Sequence, residues 1–343
     1  QINGTYSTDS EELPAIAADD TGGFYMAYED RDTDGQSIRV EKYSDNGDGL
    51  LVNTIQFDFG TPTVSAPSIA VNADGNVLVS YEWSDGGDEN VRAKLLDSNL
   101  NFINQGPGNT GIILRSDEAP TDPAVGVFDP ETAAMTNGTF VTVYIDPESD
   151  DGIEVRGTNG TTGANIFNRN VGTTGTNGRL DYDPQVAALA GGGFVVVWTE
   201  EDRPGGIAQD NISFAIYDST GGTVEGPTSV INTNFNYIKP DVVALKDGGF
   251  FVAGVDDTSD HIVGTRFDAT GTMIGEQMFE MVTTGNPIDP ELGLTSDGRI
   301  LLSWSDGNGD IFKEIWDPRD ATILADGTEE VITARSTEAT SIV

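Results

Sequence analysis

The sequence lacks cysteine and has few basic residues. Without cysteine, disulfides, thiol nucleophiles and thiolate metal ligands are excluded. Seventeen Lys and Arg residues stand against 57 Asp and Glu residues, so the formal charge is 17 − 57 = −40. A chain this acidic repels phosphate backbones and anionic lipid surfaces and attracts cations. We therefore expect no nucleic acid partner, and divalent metals are the obvious counter-charge.

Long hydrophobic runs are also missing. No apolar segment reaches the roughly 18 residues that a membrane helix requires, so we expect no membrane insertion. No signal peptide opens the chain, and we expect Gln1 to be either a processed N-terminus or the start of a fragment. Hydrophobic residues make up 37% of the chain and glycine contributes 42 residues, a composition that suits many short strands joined by tight turns.

An internal repeat accounts for the glycines. Six prolines that each begin a short apolar run recur at a nearly even spacing along the chain: Pro14, Pro67, Pro123, Pro184, Pro240 and Pro290. A glycine-containing turn follows, and a second apolar strand starts at one fixed offset from the proline in five of the six units, as from Pro184 to Phe194. In the third unit the offset is longer, which indicates seven extra residues in that turn, around Pro130.

These units predict an all-β fold, a six-bladed β-propeller with four antiparallel strands in each blade. We expect residues 1–343 to form a single domain, with blades starting near residues 14, 67, 123, 184, 240 and 290. Seven blades or tandem β-sandwiches are the alternatives, although sandwiches leave the regular offset unexplained. Either residues 2–6 or residues 329–332 supply an outer strand of the last blade.

Two repeats carry a family resemblance. The segment 192–198 (GGFVVVW), the pair Tyr217-Asp218, and Gly221 and Gly226 resemble a propeller-type repeat of very large secreted bacterial proteins. Those proteins often contain calcium-binding nonapeptide (RTX) regions, and their function is mostly unassigned. The resemblance implies a secreted or cell-surface location. This sequence contains no G-G-x-G-x-D nonapeptide, so only the propeller part is implied.

The sharpest motif is a calcium-loop pattern of the form D-x-D-x-D-G-x5-E. Oxygen ligands at alternate positions wrap a Ca2+ ion, and the glycine permits the sharp turn. Three acidic loops are candidate metal sites, and their predicted ligands are Asp30, Asp32, Asp34 and Glu41 in the first, Asp146 and Asp150 in the second, and Asp306 and Asp310 in the third. The alternative is that these loops are solvated hairpin ends that keep the chain soluble.

The acidic loops between strands b and c, and between blades, are expected on one face of a propeller. That face is the predicted docking site for a glycan or protein partner. Trp83, Trp198 and Trp304 lie near the ends of the second strands and are candidates for stacking on a sugar. The competing interpretation is that these aromatic side chains fill the space between blades.

Catalytic patterns are scarce. No Ser-His-Asp set or G-x-S-x-G elbow is present, and the only histidine is His261, so no catalytic residue and no organic cofactor are predicted. The sequence favours a non-enzymatic, secreted, calcium-binding module in adhesion, in surface-layer or matrix assembly, or in glycan or protein binding. The alternative is a calcium-dependent hydrolase or polysaccharide lyase with its site on the acidic face. The oligomeric state is not predicted.

Overall fold

The structure is a computed structural model, and the residues that it describes form strands and turns. It describes residues 10–32, 35–46, 49–55, 63–85, 89–104, 111–116, 128–146, 152–171, 181–202, 209–230, 236–282, 287–306, 310–318 and 330–332. Within these ranges no helix is long and apolar enough to cross a membrane. The chain divides into two compact units, the first comprising Gln1–Ser149 and Ile153–Asn170 and the second Asp150–Gly152 and Val171–Ile342.

The first unit contains three antiparallel sheets that follow one another along the chain. Their strands are β1 (Ser10–Ala18), β2 (Phe24–Asp32), β3 (Gly35–Tyr43) and β4 (Gly49–Ile55), then β5 (Thr63–Val71), β6 (Val77–Ser84), β7 (Glu89–Leu96), β8 (Phe102–Asn104) and β9 (Ile112–Ser116), and then β10 (Phe128–Ala134), β11 (Thr139–Asp146), β12 (Gly152–Asn159) and β13 (Asn165–Asn170). Strands pair in chain order, except that β8 and β9 both pair with β7 and share the outer edge of the second sheet.

The second unit repeats this arrangement with three further four-stranded sheets. Their strands are β14 (Tyr182–Ala188), β15 (Phe194–Asp202), β16 (Gln209–Tyr217) and β17 (Thr223–Ser229), then β18 (Tyr237–Ala244), β19 (Phe250–Asp256), β20 (His261–Phe267) and β21 (Met273–Val282), and then β22 (Ile288–Leu294), β23 (Ile300–Ser305), β24 (Ile311–Trp316) and β25 (Glu330–Ile332). The C-terminal segment thus supplies the fourth strand of the sixth sheet. Residues 2–6, the competing segment, lie outside the described residues.

These sheets confirm the predicted fold, an all-β, six-bladed β-propeller of four-stranded antiparallel blades, over seven blades or tandem sandwiches. The third blade differs from its prediction. Its first strand starts at Phe128, and Pro130 takes the place that Pro14 or Pro184 takes in other blades. The turn to β11 is therefore of ordinary length, and the predicted seven-residue insertion in that turn is wrong. Pro123 lies outside the described residues.

The first strand of every sheet contains a β-bulge at its proline. The pairing register shifts there, for example between Glu12 and Ala15 and between Ile288 and Glu291. The residue before the proline, here called the bulge residue, has a positive φ of 45° to 59° in all six sheets. The bulge residues are Leu13, Ala66, Asp129, Asp183, Lys239 and Asp289. Such a backbone costs a non-glycine residue about 1–3 kcal/mol, so surrounding contacts must hold it.

The second strands and the faces between neighbouring sheets form the core. In the second unit, the rings of Phe214, Phe250 and Phe267 meet with centroids 4.8 to 5.4 Å apart, which joins β16 to the next sheet. The first strands also pack on one another, because β18 contacts both β14 and β22. This packing brings the bulges of neighbouring sheets close together within the unit.

Candidate functional site

The three bulge residues of the second unit are all ionisable. Asp183 lies on β14, Lys239 on β18 and Asp289 on β22. Lys239 Nζ donates a hydrogen bond to Oδ1 of Asp289 and forms an ion pair with it. A bulge turns side chains away from their regular strand directions, and bulges are common beside active sites. The bulged ends of these strands are therefore the candidate site.

Asp183 interacts electrostatically with both partners of this ion pair. Burial raises the pKa of Asp183, the positive charge of Lys239 opposes that rise, and the negative charge of Asp289 adds to it. The outcome is a carboxyl group that holds its proton more tightly than an ordinary aspartate does. One lysine thus serves two neighbouring carboxyl groups.

Glu291 stands two residues after Asp289, on the other side of Pro290. Burial and the charge of Asp289 raise the pKa of Glu291 to about 7, although water still reaches much of its side chain. Asp183, Lys239, Asp289 and Glu291 are called the acidic cluster below.

Asp241 supports the cluster from within. It is buried on β18, and its Oδ1 accepts a hydrogen bond from the Val242 N–H at 2.7 Å. Its Oδ2 accepts one from the N–H of Leu292, the residue after Glu291. One carboxylate therefore joins the first strands of two neighbouring sheets beside Glu291, and its hydrogen bonds compensate for its burial.

The arrangement suits general acid–base chemistry. Glu291 holds a proton near neutral pH, and the neighbouring Asp289 forms an ion pair with Lys239. Carboxyl groups in unlike surroundings are a common basis for acid and base roles in one site. No group of three or more His, Asp or Glu side chains suited to a metal ion is found among the residues that the structure describes.

The predicted calcium loop is only partly described. Asp30 is buried and forms an ion pair with Arg39 at 2.7 Å. The side chain of Asp32 and all of Asp34 lie outside the described residues. Glu41 lies along β3 opposite Met26 and accepts hydrogen bonds from the hydroxyls of Tyr28 and Tyr43, so the structure does not bring it to the loop. Calcium at this loop stays a prediction.

The other two candidate metal loops, at Asp146 and Asp150 and at Asp306 and Asp310, differ in how the structure uses their carboxylates. Asp146 is buried and bonded to Arg115 Nε at 2.6 Å, and Asp150 lies outside the described residues. Asp306 and Asp310 do lie close together, because Asp306 Oδ1 accepts a hydrogen bond from the Asp310 N–H at 3.2 Å. That bond is a structural use of the Asp306 carboxylate.

The tryptophans chiefly fill the core. Trp198 is fully buried and Trp304 is 3% exposed and stacks on Phe312, so neither presents a face to a sugar, and that prediction is wrong for both. The end of the second strand points between sheets, where an aromatic ring excludes water. Trp83 is half-buried, and the Arg92 guanidinium lies 3.4 Å from its ring centroid, which covers one face.

Sequence reasoning missed the acidic cluster, although a signal was present. Counting from the bulged prolines, the preceding residue and the following residue are ionisable in the third, fifth and sixth repeats. With 57 acidic residues in the chain, no single carboxylate stands out by type. The discriminating feature is the position beside a bulged proline, because the bulge turns these side chains and packing brings them together.

No protein-family model matches the sequence, and no curated protein matches it. Solved structures are similar in fold. An alpha-L-arabinanase from Penicillium chrysogenum, complexed with arabinobiose, has a TM-score of 0.59 at 14% identity, covering 90% of this chain and 94% of that one. An alpha-L-arabinofuranosidase from Fusarium graminearum, a mutant in complex with an iminosugar inhibitor, has a TM-score of 0.58 at 12% identity, covering 86% and 88%.

A third structure, the GH93 alpha-L-arabinofuranosidase of Fusarium graminearum with arabinobiose, has a TM-score of 0.55 at 14% identity, covering 94% of this chain and 91% of that one. At these identities the likeness shows the fold alone. The chain has a propeller fold that resembles the propellers of these glycoside hydrolases. Secretion and the RTX-associated repeat stay predictions.

Proposed function

We propose that the chain is a glycoside hydrolase that acts on arabinose-containing glycans at the acidic cluster. The observation that carries this proposal is the raised pKa of Glu291 beside the Asp289–Lys239 ion pair, at the bulged ends of neighbouring first strands. Most glycoside hydrolases cleave the glycosidic bond with one protonated and one ionised carboxyl group. The similar folds of enzymes solved with arabinobiose suggest the sugar.

The roles follow from protonation. Glu291 donates its proton to the glycosidic oxygen as the bond from that oxygen to the anomeric carbon breaks. A water oxygen attacks the anomeric carbon, and Asp289 accepts the proton that this water loses. Lys239 Nζ donates a hydrogen bond to Oδ1 of Asp289 and so orients its carboxylate for that step.

The test measures arabinose release from arabinobiose and from arabinan. Glu291→Gln and Asp289→Asn should each lower kcat by about 10²–10⁴-fold, the usual contribution of an acid or base. Wild-type activity should fall as pH rises through about 7, because Glu291 then loses its proton. Glu131→Gln is the matched control, since Glu131 follows the bulged proline of the third sheet, and its kcat should stay within about twofold of wild type.

Absence of arabinose release by the wild type, or equal rates in Glu291→Gln and wild type, would overturn this function. The non-enzymatic module is the competing function, and it predicts glycan binding without cleavage. Binding of intact arabinobiose by the wild type, with no product after long incubation, is the result that would favour it.

A further inference from the structure

A side-chain acceptor holds the bulge residue of the next sheet at three places in the chain. The acceptor stands at the same distance in sequence from the bulged proline each time, near the end of the second strand. Glu29 Oε1 accepts from the Ala66 N–H at 3.0 Å, and Glu82 Oε1 accepts from the Asp129 N–H at 2.9 Å. In the second unit, Thr199 Oγ1 accepts from the Lys239 N–H at 3.2 Å. One repeat position thus carries the same contact in both units.

The third of these contacts reaches the acidic cluster. Thr199 is fully buried on β15, so its hydroxyl is not an incidental surface group. Lys239, whose N–H it binds, has a φ of 52°, a conformation that a lysine adopts only when other contacts fix it. The side chain of Lys239 then reaches Asp289 on the next sheet. The position of this ammonium group depends on the backbone that Thr199 holds.

We propose that Thr199 is a positioning residue, which fixes the bulge at Lys239 and thereby holds the lysine ammonium between Asp183 and Asp289. The inference rests on the proposed function for its catalytic meaning, but the contact itself does not require any activity. Thr199 touches no reacting atom and acts through Lys239. The chain contains an internal comparison. Val255 occupies the equivalent position in the fifth sheet, and its side chain offers no acceptor to the N–H of Asp289.

The test follows the carboxyl titration of Asp183 by NMR in four proteins: wild type, Thr199→Val, Thr199→Ser and Lys239→Gln. Lys239→Gln removes the positive charge that lowers the pKa of Asp183. The pKa of Asp183 should therefore rise most in this variant, which gives the reference for the other two variants. Thr199→Val keeps the shape and removes the acceptor, and it should produce more than half of that shift. Thr199→Ser keeps the hydroxyl and should titrate like the wild type. A merely structural role for Thr199 would leave the titration unchanged.

Amide hydrogen exchange in the wild type gives a second measurement that needs no variant. The Lys239 N–H should exchange more slowly than the Asp289 N–H, because only Lys239 faces a hydroxyl acceptor at the repeat position. Equal exchange of the two amides would overturn the inference. So would a Thr199→Val protein whose Asp183 titrates as in wild type, or a Lys239→Gln protein in which Asp183 does not shift.

Failure of this inference and failure of the proposed function give different results. If titration and exchange behave as expected and no glycan is cleaved, the positioning role stands and the hydrolase function fails. If wild type releases arabinose through Glu291 and Thr199→Val leaves kcat and the Asp183 titration unchanged, only the positioning role fails. If both hold, Thr199→Val should lower kcat by about 10-fold, and Thr199→Ser should restore it.

Discussion

In the first unit, Glu29 and Glu82 direct carboxylates at the backbone of the next sheet, whereas Thr199 and Val255 occupy these repeat positions in the second unit. The bulge residues change in the opposite sense. Leu13 and Ala66 are apolar in the first unit, where only Asp129 is ionisable, and all three bulge residues of the second unit are ionisable. The acceptors named at this repeat position are thus charged in the first unit and uncharged in the second, whereas ionisable bulge residues are more numerous in the second unit.

This difference teaches where function can arise in a repeat fold. A buried carboxylate that accepts several hydrogen bonds is committed to stability, as Glu29 is with the Ala66 N–H and the side chains of Arg31 and Gln36. A neutral acceptor such as Thr199 holds the same bulge without adding a charge. The second unit therefore keeps its strained backbone while its charged side chains remain available for chemistry.

The largest effect expected outside catalysis comes from the carboxylates of the first unit. Glu29→Ala leaves the Ala66 N–H without its acceptor and removes the partner of Arg31, so the free energy of unfolding should fall by about 3 kcal/mol. Thr199→Val should cost about 1 kcal/mol, because a neutral hydrogen bond is lost. Urea denaturation midpoints measure both. Glu89→Ala, at the exposed start of β7, is the control, and comparable losses at Glu29 and Glu89 would contradict the comparison.

A calcium ion at the predicted loop would be a second difference between the units, because that loop lies in the first unit. If Ca2+ binds at the loop after Asp30, free calcium at 100 times its Kd should stabilise the fold by about 2.7 kcal/mol, and EDTA should remove that gain. Asp32→Asn should then be less stable than wild type in calcium and no less stable in EDTA, where it only removes a like charge. Asp45→Asn, in the exposed turn at the other end of β3, is the control. An unchanged melting curve in EDTA would reduce the loop to a solvated hairpin end.

The raised pKa of Glu291 predicts a pH-dependent stability in the second unit. A carboxyl group that binds its proton more tightly when folded adds stability below its unfolded pKa and loses it as pH rises through about 7. The melting temperature of wild type should therefore fall more between pH 5 and pH 8 than that of Glu291→Gln. Solvent screening limits the difference to the order of 2–4 °C. Parallel melting curves for the two proteins at both pH values would contradict the prediction.

The smallest expected effect compares equivalent turns of the two units, at positions where no function is proposed. Asp97 in the first unit and Asp268 in the second each close the turn after the third strand by accepting backbone N–H bonds. Asp97→Ala and Asp268→Ala should each cost about 1 kcal/mol at pH 7. Hydrogen bonds lower the pKa of Asp268, led by the Thr270 hydroxyl, so its contribution disappears as pH falls through that pKa. Clearly unequal costs at pH 7 would show that the units differ beyond their bulges.

Most of the fold could be predicted from the sequence because its signals are local. Prolines, glycine turns and the fixed offset between them report on single strands and hairpins, and five second strands begin at the predicted residue. The prediction for the third blade was wrong because two prolines, Pro123 and Pro130, lie close together there and either could begin the first strand. The offset itself favours Pro130, which precedes Phe140 by the same interval as Pro184 precedes Phe194. The regularity found elsewhere was therefore better evidence than the even spacing of the prolines.

The candidate site could be predicted far less well because it depends on contacts between sheets. Asp30 fits a ligand motif, and yet the structure pairs it with Arg39, a residue that the motif does not consider. Trp198 looks like a surface aromatic at a strand end and is fully buried. The importance of Glu291 depends on its neighbours and on a bulge, and neither is visible in residue type alone.

The most direct test of the account is the carboxyl titration of Glu291, followed by NMR in wild type and in Asp289→Asn. We expect a pKa of about 7 in wild type, and a lower value in the variant because the neighbouring negative charge is gone. An ordinary glutamate pKa in both proteins would contradict this expectation, because Glu291 would then carry no proton to donate at neutral pH.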